Sequence, residues 1–200
     1  MTHGNALIII AKDPHNGNVK TRLRGHLTDD TILRLYEFLL TSTVTKFSEL
    51  SWVDTFIAYA PEDAEQYFLQ FNLPLIPLST SDLGMNMYHA FKKVFEKGYG
   101  NAALIGADIP GLTESVLTKA FELLDKNDLV YGPAQDGGYY LVGMRKLIKE
   151  VFENVPWSSE HTLKESCRQA GKFGYTVGFT EMLSDIDTID DIHRSGLDVG

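Results

Sequence analysis

Short apolar stretches alternate along this chain with longer segments whose apolar positions recur every three or four residues, the pattern of strands feeding crossover helices. Residues 7–11 (LIIIA) form a β-branched run of the kind that fills a strand buried on both faces of a parallel sheet. From Thr28 a helix is predicted, with Ile32, Tyr36, Leu39, Thr43, Phe47 and Leu50 on one face and Thr28 as its N-cap. A strand over 53–60, a helix over 62–71 and a short proline-flanked strand over 75–78 continue the rhythm. A helix over 85–97 carries Met87, Phe91, Val94 and Phe95 on one face and ends at Gly98, and a buried strand over 102–106 follows. Thr113 caps a helix bearing Val116, Leu117, Ala120, Phe121 and Leu124, after which strands over 129–132 and 139–144 flank an Asp-Gly turn. Helical stretches over 146–152 and 161–170, a strand over 173–179 and a short helix over 188–195 complete the chain.

This alternation predicts an α/β fold of three layers, α/β/α, with a mostly parallel mixed sheet and one antiparallel element from the hairpin near Gly137. Two hundred residues without a repeat, linker or low-complexity tract are expected to make one domain, 1–200.

Composition narrows the class. An apolar fraction of 44% with 22% charged residues is ordinary for a soluble protein. No apolar run approaches the roughly 20 residues that cross a bilayer, so no membrane span is expected. The first ten residues lack the basic start and cleavage site of a signal peptide, so a cytoplasmic location is expected. Cys167 is the sole cysteine, which removes disulfides and cysteine-metal sites. A net charge of −9 argues against nucleic-acid binding, which draws on a basic face. Against that acidic background Lys12, Lys20, Arg22 and Arg24 crowd into residues 12–24, opposed only by Asp13, and point to a small anionic ligand.

Sheets of this kind bind ligands beyond the carboxyl ends of their strands, so the polar groups that follow strands are the candidates. The loop over 11–23 offers Lys12, Lys20, Arg22 and the backbone around Gly17 to phosphate oxygens. Val19 before Lys20 excludes a Walker A loop. The run LIGADIP carries a buried strand into Asp108, placed either as a ligand of a metal bridging phosphates or as a turn-forming residue beside Pro110. In the hairpin turn, Asp136 could ligate a metal, accept from a sugar hydroxyl or act as a general base, and Gly137 and Gly138 let a ligand approach the backbone. Four carboxylates fall within residues 185–191; Asp190 and Asp191 read as helix caps, while Asp185 and Asp187 remain candidate metal ligands. The spacings exclude a His-x-x-x-His zinc site, a nucleophile elbow and a dinucleotide fingerprint.

Six segments taken in order, VKTRL (19–23), DLG (82–84), GADIP (106–110), GPAQDGGYY (132–140), PWS (156–158) and DIDT (185–188), resemble a bacterial and archaeal family of transferases in the nucleotide-diphospho-sugar transferase superfamily, which has the GT-A, Rossmann-like fold. The chain is also similar to 2-phospho-lactate guanylyltransferases and, more distantly, to molybdenum-cofactor guanylyltransferases. The resemblance implies that Lys20 and Arg22 contact nucleotide phosphates and that Asp108, with Asp187 or Asp185, holds Mg²⁺ or Mn²⁺. It implies that the 79–84 loop, with Asp82 and Gly84, lies near the base. Asp136, Gly137, Gly138 and Tyr139, with Trp157 and Ser158, would face a small-molecule acceptor. The chain departs from the family pattern at Ser81, Met85 and Asn86, where a glycine and an acidic-arginine pair are expected, which bears on the identity of the nucleotide. The implied activity is a metal-dependent transferase acting on a nucleotide or nucleotide-sugar, with glycosyl transfer ahead of nucleotidyl transfer that releases pyrophosphate. A non-catalytic nucleotide-binding or regulatory protein is the rival from another class.

Overall fold

The computed structural model describes residues 3–17 and 19–197 and contains one seven-stranded mixed sheet flanked by helices. In chain order the elements are β1 (His3–Lys12), α1 (Asp29–Ser48), β2 (Val53–Ala60), α2 (Glu65–Phe68), β3 (Leu75–Pro77), α3 (Leu83–Glu96), β4 (Tyr99–Gly106), α4 (Glu114–Leu124), β5 (Leu129–Pro133), β6 (Tyr139–Met144), α5 (Thr162–Lys172), β7 (Val177–Phe179) and α6 (Ile189–Ser195). Short 3₁₀ turns occupy Pro14–Asn16, Thr21–Leu23, Glu62–Ala64, Leu69–Phe71 and Glu150–Phe152.

The sheet order is β3-β2-β1-β4-β6-β5-β7, and β6 alone runs antiparallel to its neighbours β4 and β5. Chain order proceeds one way from β1 through β2 to β3, then returns to the other side of β1 with β4. The gap between the carboxyl ends of β1 and β4 is thus a topological switch point, where such sheets bind ligands. The predicted hairpin is present, with Ala134 N–H donating to the Gly138 carbonyl at 3.0 Å, and its second strand inserts between β4 and β5.

The apolar runs explain the layers. In β1, Ala6, Leu7, Ile8 and Ile9 are all fully buried, and strand parity sends alternate side chains to opposite faces. Leu7 and Ile9 join Tyr36, Leu40, Val44 and Phe47 of α1 and Val116, Leu117 and Ala120 of α4. Ala6 and Ile8 join Met87, Ala90, Phe91 and Val94 of α3 and Ala170 of α5. A smaller cluster packs Leu23, Ile186 and Ile192 against Ile32, Leu35 and Leu39 of α1. That cluster draws the cationic loop and the acidic carboxyl-terminal segment together on one helix.

Three predicted elements differ, the first being the helix expected over 62–71, which is α-helical only over Glu65–Phe68 between two 3₁₀ turns. The helix expected over 146–152 is reduced to the turn Glu150–Phe152, although Ile148, Val151 and Phe152 are buried at the i, i+3, i+4 spacing of a helix face. The strand expected over 173–179 shrinks to Val177–Phe179: Gly174, at φ +74°, lets Tyr175 N–H reach back to the Ala170 carbonyl and close α5. Phe173, Tyr175, Val177 and Phe179 alternate as a strand would, yet Phe173 and Phe179 are exposed. Among the described residues, no helix is long and apolar enough to cross a membrane.

Candidate active site

Three contiguous chambers run along the carboxyl edge of the sheet. The largest, about 830 Å³, lies between Lys12, Asp13, the 60–63 segment after β2 and the 78–81 segment after β3. The central one, about 270 Å³, lies at the switch point and includes Lys12, Lys20, Tyr36, Asn86, Asp108 and Asp187. The third, about 220 Å³, sits by the hairpin and includes Asp136, Gly138, Tyr139, Trp157, Ser158 and Asp185. Lys12, Ala60 and Leu78 border the first two, and Ile10, Leu83, Gly106 and Asp108 border the last two, so the chambers form one cleft.

Lys20 is its centre. Its side chain is only 4% exposed, and the ammonium donates to Asp108 Oδ2 and, at 2.9 Å, to Asp187 Oδ1. Burial alone would lower its pKa, but attraction to Asp108 and Asp187 and the hydrogen bonds to both outweigh that and raise it. Lys20 adopts the left-handed conformation at φ +48°, uncommon for a residue with a Cβ, and the two ion pairs hold it there. Arg22, largely exposed, donates to the other oxygen of Asp187 at 3.1 Å.

Backbone contacts aim these groups. Thr43 in α1 donates from its hydroxyl to the Ala107 carbonyl at 3.1 Å, fixing the turn that leaves β4. Ile186 N–H donates to the Asp108 carbonyl at 3.2 Å, which sets Asp187 beside Asp108. Asp191 then holds Asp187 from behind: Asp191 Oδ2 accepts from the backbone N–H of Asp187 at 3.0 Å and of Thr188 at 2.6 Å. Thr188 and Asp191 form a reciprocal capping box, so the expected capping role of Asp191 is observed.

Asp185 stands half-buried in the third chamber and is pushed up to about 6, first by burial and then by the negative charges of Asp108 and Asp187. Three carboxylates share this corner with one buried ammonium, and their hard oxygen donors suit Mg²⁺ or Mn²⁺. Among the described residues, however, no three His, Cys, Asp or Glu side chains gather into a metal-holding group. Lys20 occupies the space between Asp108 and Asp187 instead.

The remaining expected site residues divide. Lys12 is exposed and borders two chambers, and its backbone N–H donates to the Tyr36 hydroxyl at 2.9 Å. Gly17 lies away from the cleft, where its carbonyl accepts from Arg24 at 2.5 Å. Asp82 N-caps α3 by accepting from Met85 N–H at 2.7 Å. Gly84 admits the Trp157 ring, because a Cβ there would fall 2.5 Å from it. Gly137, at φ +87°, lies under the 158–161 turn, and a Cβ would sit 2.2 Å from the Glu160 carbonyl oxygen. Asp136 accepts from Gly138 N–H at 2.8 Å.

Sequence reasoning missed the parts played by Asn86, Tyr36 and the 61–63 segment. Asn86 is buried and clamps the 80–82 loop, donating to the Thr80 carbonyl at 2.9 Å and accepting from its hydroxyl at 3.0 Å. Tyr36 was visible only as a helix-face position, and burial raises its phenol pKa. The 61–63 segment follows β2, so the strand-end rule that selected the other loops would have found it.

A family profile described as uncharacterized protein conserved in bacteria (DUF2064) matches residues 43–159. No curated protein sequence matches the chain. Among solved structures, a protein of Desulfovibrio desulfuricans G20, provisionally described as a nucleotide-diphospho-sugar transferase, superposes with a TM-score of 0.86 at 29% identity, over 92% of this chain and 82% of that one. The 4-diphosphocytidyl-2C-methyl-D-erythritol synthase of Anaerococcus prevotii DSM 20548 gives 0.61 at 15% identity, over 96% and 93%. Rv0371c of Mycobacterium tuberculosis H37Rv, solved with manganese, gives 0.58 at 13% identity, over 98% of each chain. The fold is therefore that of the nucleotide-diphospho-sugar transferases.

Proposed function

The chain belongs to the DUF2064 family, and from that premise we propose that it is a transferase acting on a nucleotide-activated sugar, with the nucleotide in the first two chambers of the cleft. The observation that carries this reading is Lys20, a buried ammonium at the switch point between the two large strand ends, bordering the central chamber. A phosphate entering there meets Lys20, with Lys12 and Arg22 beside it, and charge-assisted hydrogen bonds to these cations hold the diphosphate. As the sugar C–O bond breaks, Lys20 stabilises the negative charge that gathers on the departing nucleoside diphosphate. Asp136, in the adjoining chamber, takes the proton from the acceptor.

Asp108 and Asp187, with Asp185 beside them, would hold Mg²⁺ or Mn²⁺. Such an ion supplies further neutralisation of phosphate charge. Because Lys20 now lies between Asp108 and Asp187, binding a dication requires its ammonium to turn from the carboxylates toward the phosphates. The manganese bound in the Mycobacterium tuberculosis structure supports this part of the reading.

Nucleotidyl transfer is the second reading. The synthase fold neighbour supports it, as does a cation placed where an attacked phosphorus would build charge. Thermal denaturation with nucleoside diphosphates, nucleoside triphosphates and nucleotide sugars, with and without Mn²⁺, tests both. A ligand present at about 100 times its dissociation constant adds about 2.7 kcal/mol of stability. Product analysis then separates them, since sugar transfer releases a nucleoside diphosphate and nucleotidyl transfer releases pyrophosphate. Failure of every nucleotide to stabilise the protein would refute both and favour a non-catalytic role.

A further inference from the structure

The hairpin chamber is chemically unlike the rest of the cleft. Its walls include Leu83, Met87, Tyr139 and Trp157, and the last two rings meet edge-to-face with centroids 6.3 Å apart. Its charged side chains are carboxylates, Asp136 and Asp185 within it and Asp108 at its boundary. No lysine, arginine or histidine borders it among the described residues. The cations of the cleft, Lys12 and Lys20, border only the other chambers. Lys20 neutralises Asp108, whereas neither Asp136 nor Asp185 has an ion-pair partner among the described residues.

A phosphate or carboxylate entering such a chamber gives up water, meets no cationic side chain on its walls and faces the Asp136 carboxylate, which is not among the groups that would hold a metal ion. A hydroxyl or ammonium group instead finds carboxylate acceptors, and the rings of Tyr139 and Trp157 cover the apolar face of a small ring. We propose that this chamber takes an acceptor whose body is uncharged or cationic and carries a hydroxyl or amino group, and that it turns away phosphorylated and carboxylated compounds.

The inference rests on the reading that the neighbouring chambers hold the nucleotide-activated sugar. In the transfer, the acceptor oxygen forms a bond to the anomeric carbon and its proton passes to the Asp136 carboxylate. The bond from that carbon to the diphosphate oxygen breaks, and its electron pair leaves on the nucleoside diphosphate. An acceptor phosphate, as required to build a new diphosphate by nucleotidyl transfer, is disfavoured by the Asp136 carboxylate.

Trp157 supplies the test. The chain has two tryptophans, and Trp52 lies elsewhere, bonded to Glu114 and packed on Phe121. Trp52→Phe leaves Trp157 as the single fluorescent reporter. It is titrated with benzyl alcohol, benzylamine and benzyl phosphate, which share a body and differ in charge. Saturable quenching by the alcohol and the amine is expected, with benzyl phosphate at least tenfold weaker. In Asp136→Asn, whose amide oxygen can still accept from Gly138 N–H, the gap between amine and phosphate narrows. So it does in wild-type protein at high salt. Benzyl phosphate binding as tightly as the alcohol, or no saturable quenching by any of the three, overturns the proposal. Thermal stabilisation of the same protein by nucleotides reports the donor reading separately, so a protein that binds nucleotides yet prefers benzyl phosphate overturns the acceptor inference alone.

Discussion

At the switch-point end of the cleft, Lys20 is fixed by carboxylates contributed from segments far away in the chain. At the hairpin end, Trp157 and the 158–161 turn are fixed by glycines whose missing Cβ atoms let them approach. The first arrangement is held by charge and leaves Asp108 and Asp187 partly open to solvent. The second is held by close contact. An isosteric change of charge should therefore perturb the first end, whereas a single added methyl group should perturb the second.

The largest effect is expected at Gly137. Alanine there brings a Cβ within 2.2 Å of the Glu160 carbonyl oxygen at a backbone φ of +87°. Backbone faces backbone, so neither side can step aside, and Gly137→Ala should lower stability by about 3 kcal/mol or more in denaturant unfolding. A loss within about 1 kcal/mol of zero would mean that the turn moves freely and that shape does not fix this end.

Lys20→Met comes next. It keeps the side-chain length and leaves two partly exposed carboxylates facing each other, for an expected loss of about 2 kcal/mol. Two ligands should then diverge. Nucleotide affinity falls about tenfold or more with the lost charge-assisted bonds, while Mn²⁺, freed from competition with the ammonium, binds more tightly in calorimetry. Mn²⁺ binding that weakens along with the nucleotide would break the picture of Lys20 as a competing cation.

The same contrast explains what was legible in the sequence. The buried runs of β1 and β4, the caps Thr28 and Thr113, and the position of Asp108 after β4 follow from local pattern, because burial and capping act over a few residues. Asp82 and Gly84 carried a local signal too, but its meaning was tertiary: one caps α3 and the other makes room for Trp157. The Lys20 pairing spans 88 residues to Asp108 and 167 to Asp187, and it depends on Leu23, Ile186 and Ile192 meeting on α1. No spacing within one segment encodes that meeting. Nor does any local pattern place β6 between β4 and β5, because strand order is chosen by packing among distant segments.

Asp191→Ala tests how the charged end is supported. The change removes the capping box and the acceptor that holds Asp187 N–H, with an expected cost of about 1 kcal/mol. Burial works against the Asp191 carboxylate, but hydrogen bonds from Thr188 and Arg194 prevail and lower its pKa below the ordinary 3.8. Its stabilisation is therefore complete above that value and is lost as pH falls through the lower folded value. The difference between wild type and Asp191→Ala should shrink in acid.

Asp185 reverses the sign and gives the smallest effect. Its pKa is raised from 3.8 to about 6, so its contribution is fully present below the lower value and disappears as pH rises through the higher one. Above about 6 the folded protein carries an ionised carboxylate beside Asp108 and Asp187, which asparagine would remove. Asp185→Asn should thus stabilise the protein at pH 8 and leave it unchanged near pH 4, with solvent screening holding the gain to about 1 kcal/mol. Mn²⁺ would relieve the same repulsion in wild type. Melting curves at pH 8 should then show the variant ahead without metal, and wild type gaining more when Mn²⁺ is added. If the variant keeps its full advantage in saturating Mn²⁺, Asp185 lies outside the ion's reach and the cation belongs to Asp108 and Asp187 alone.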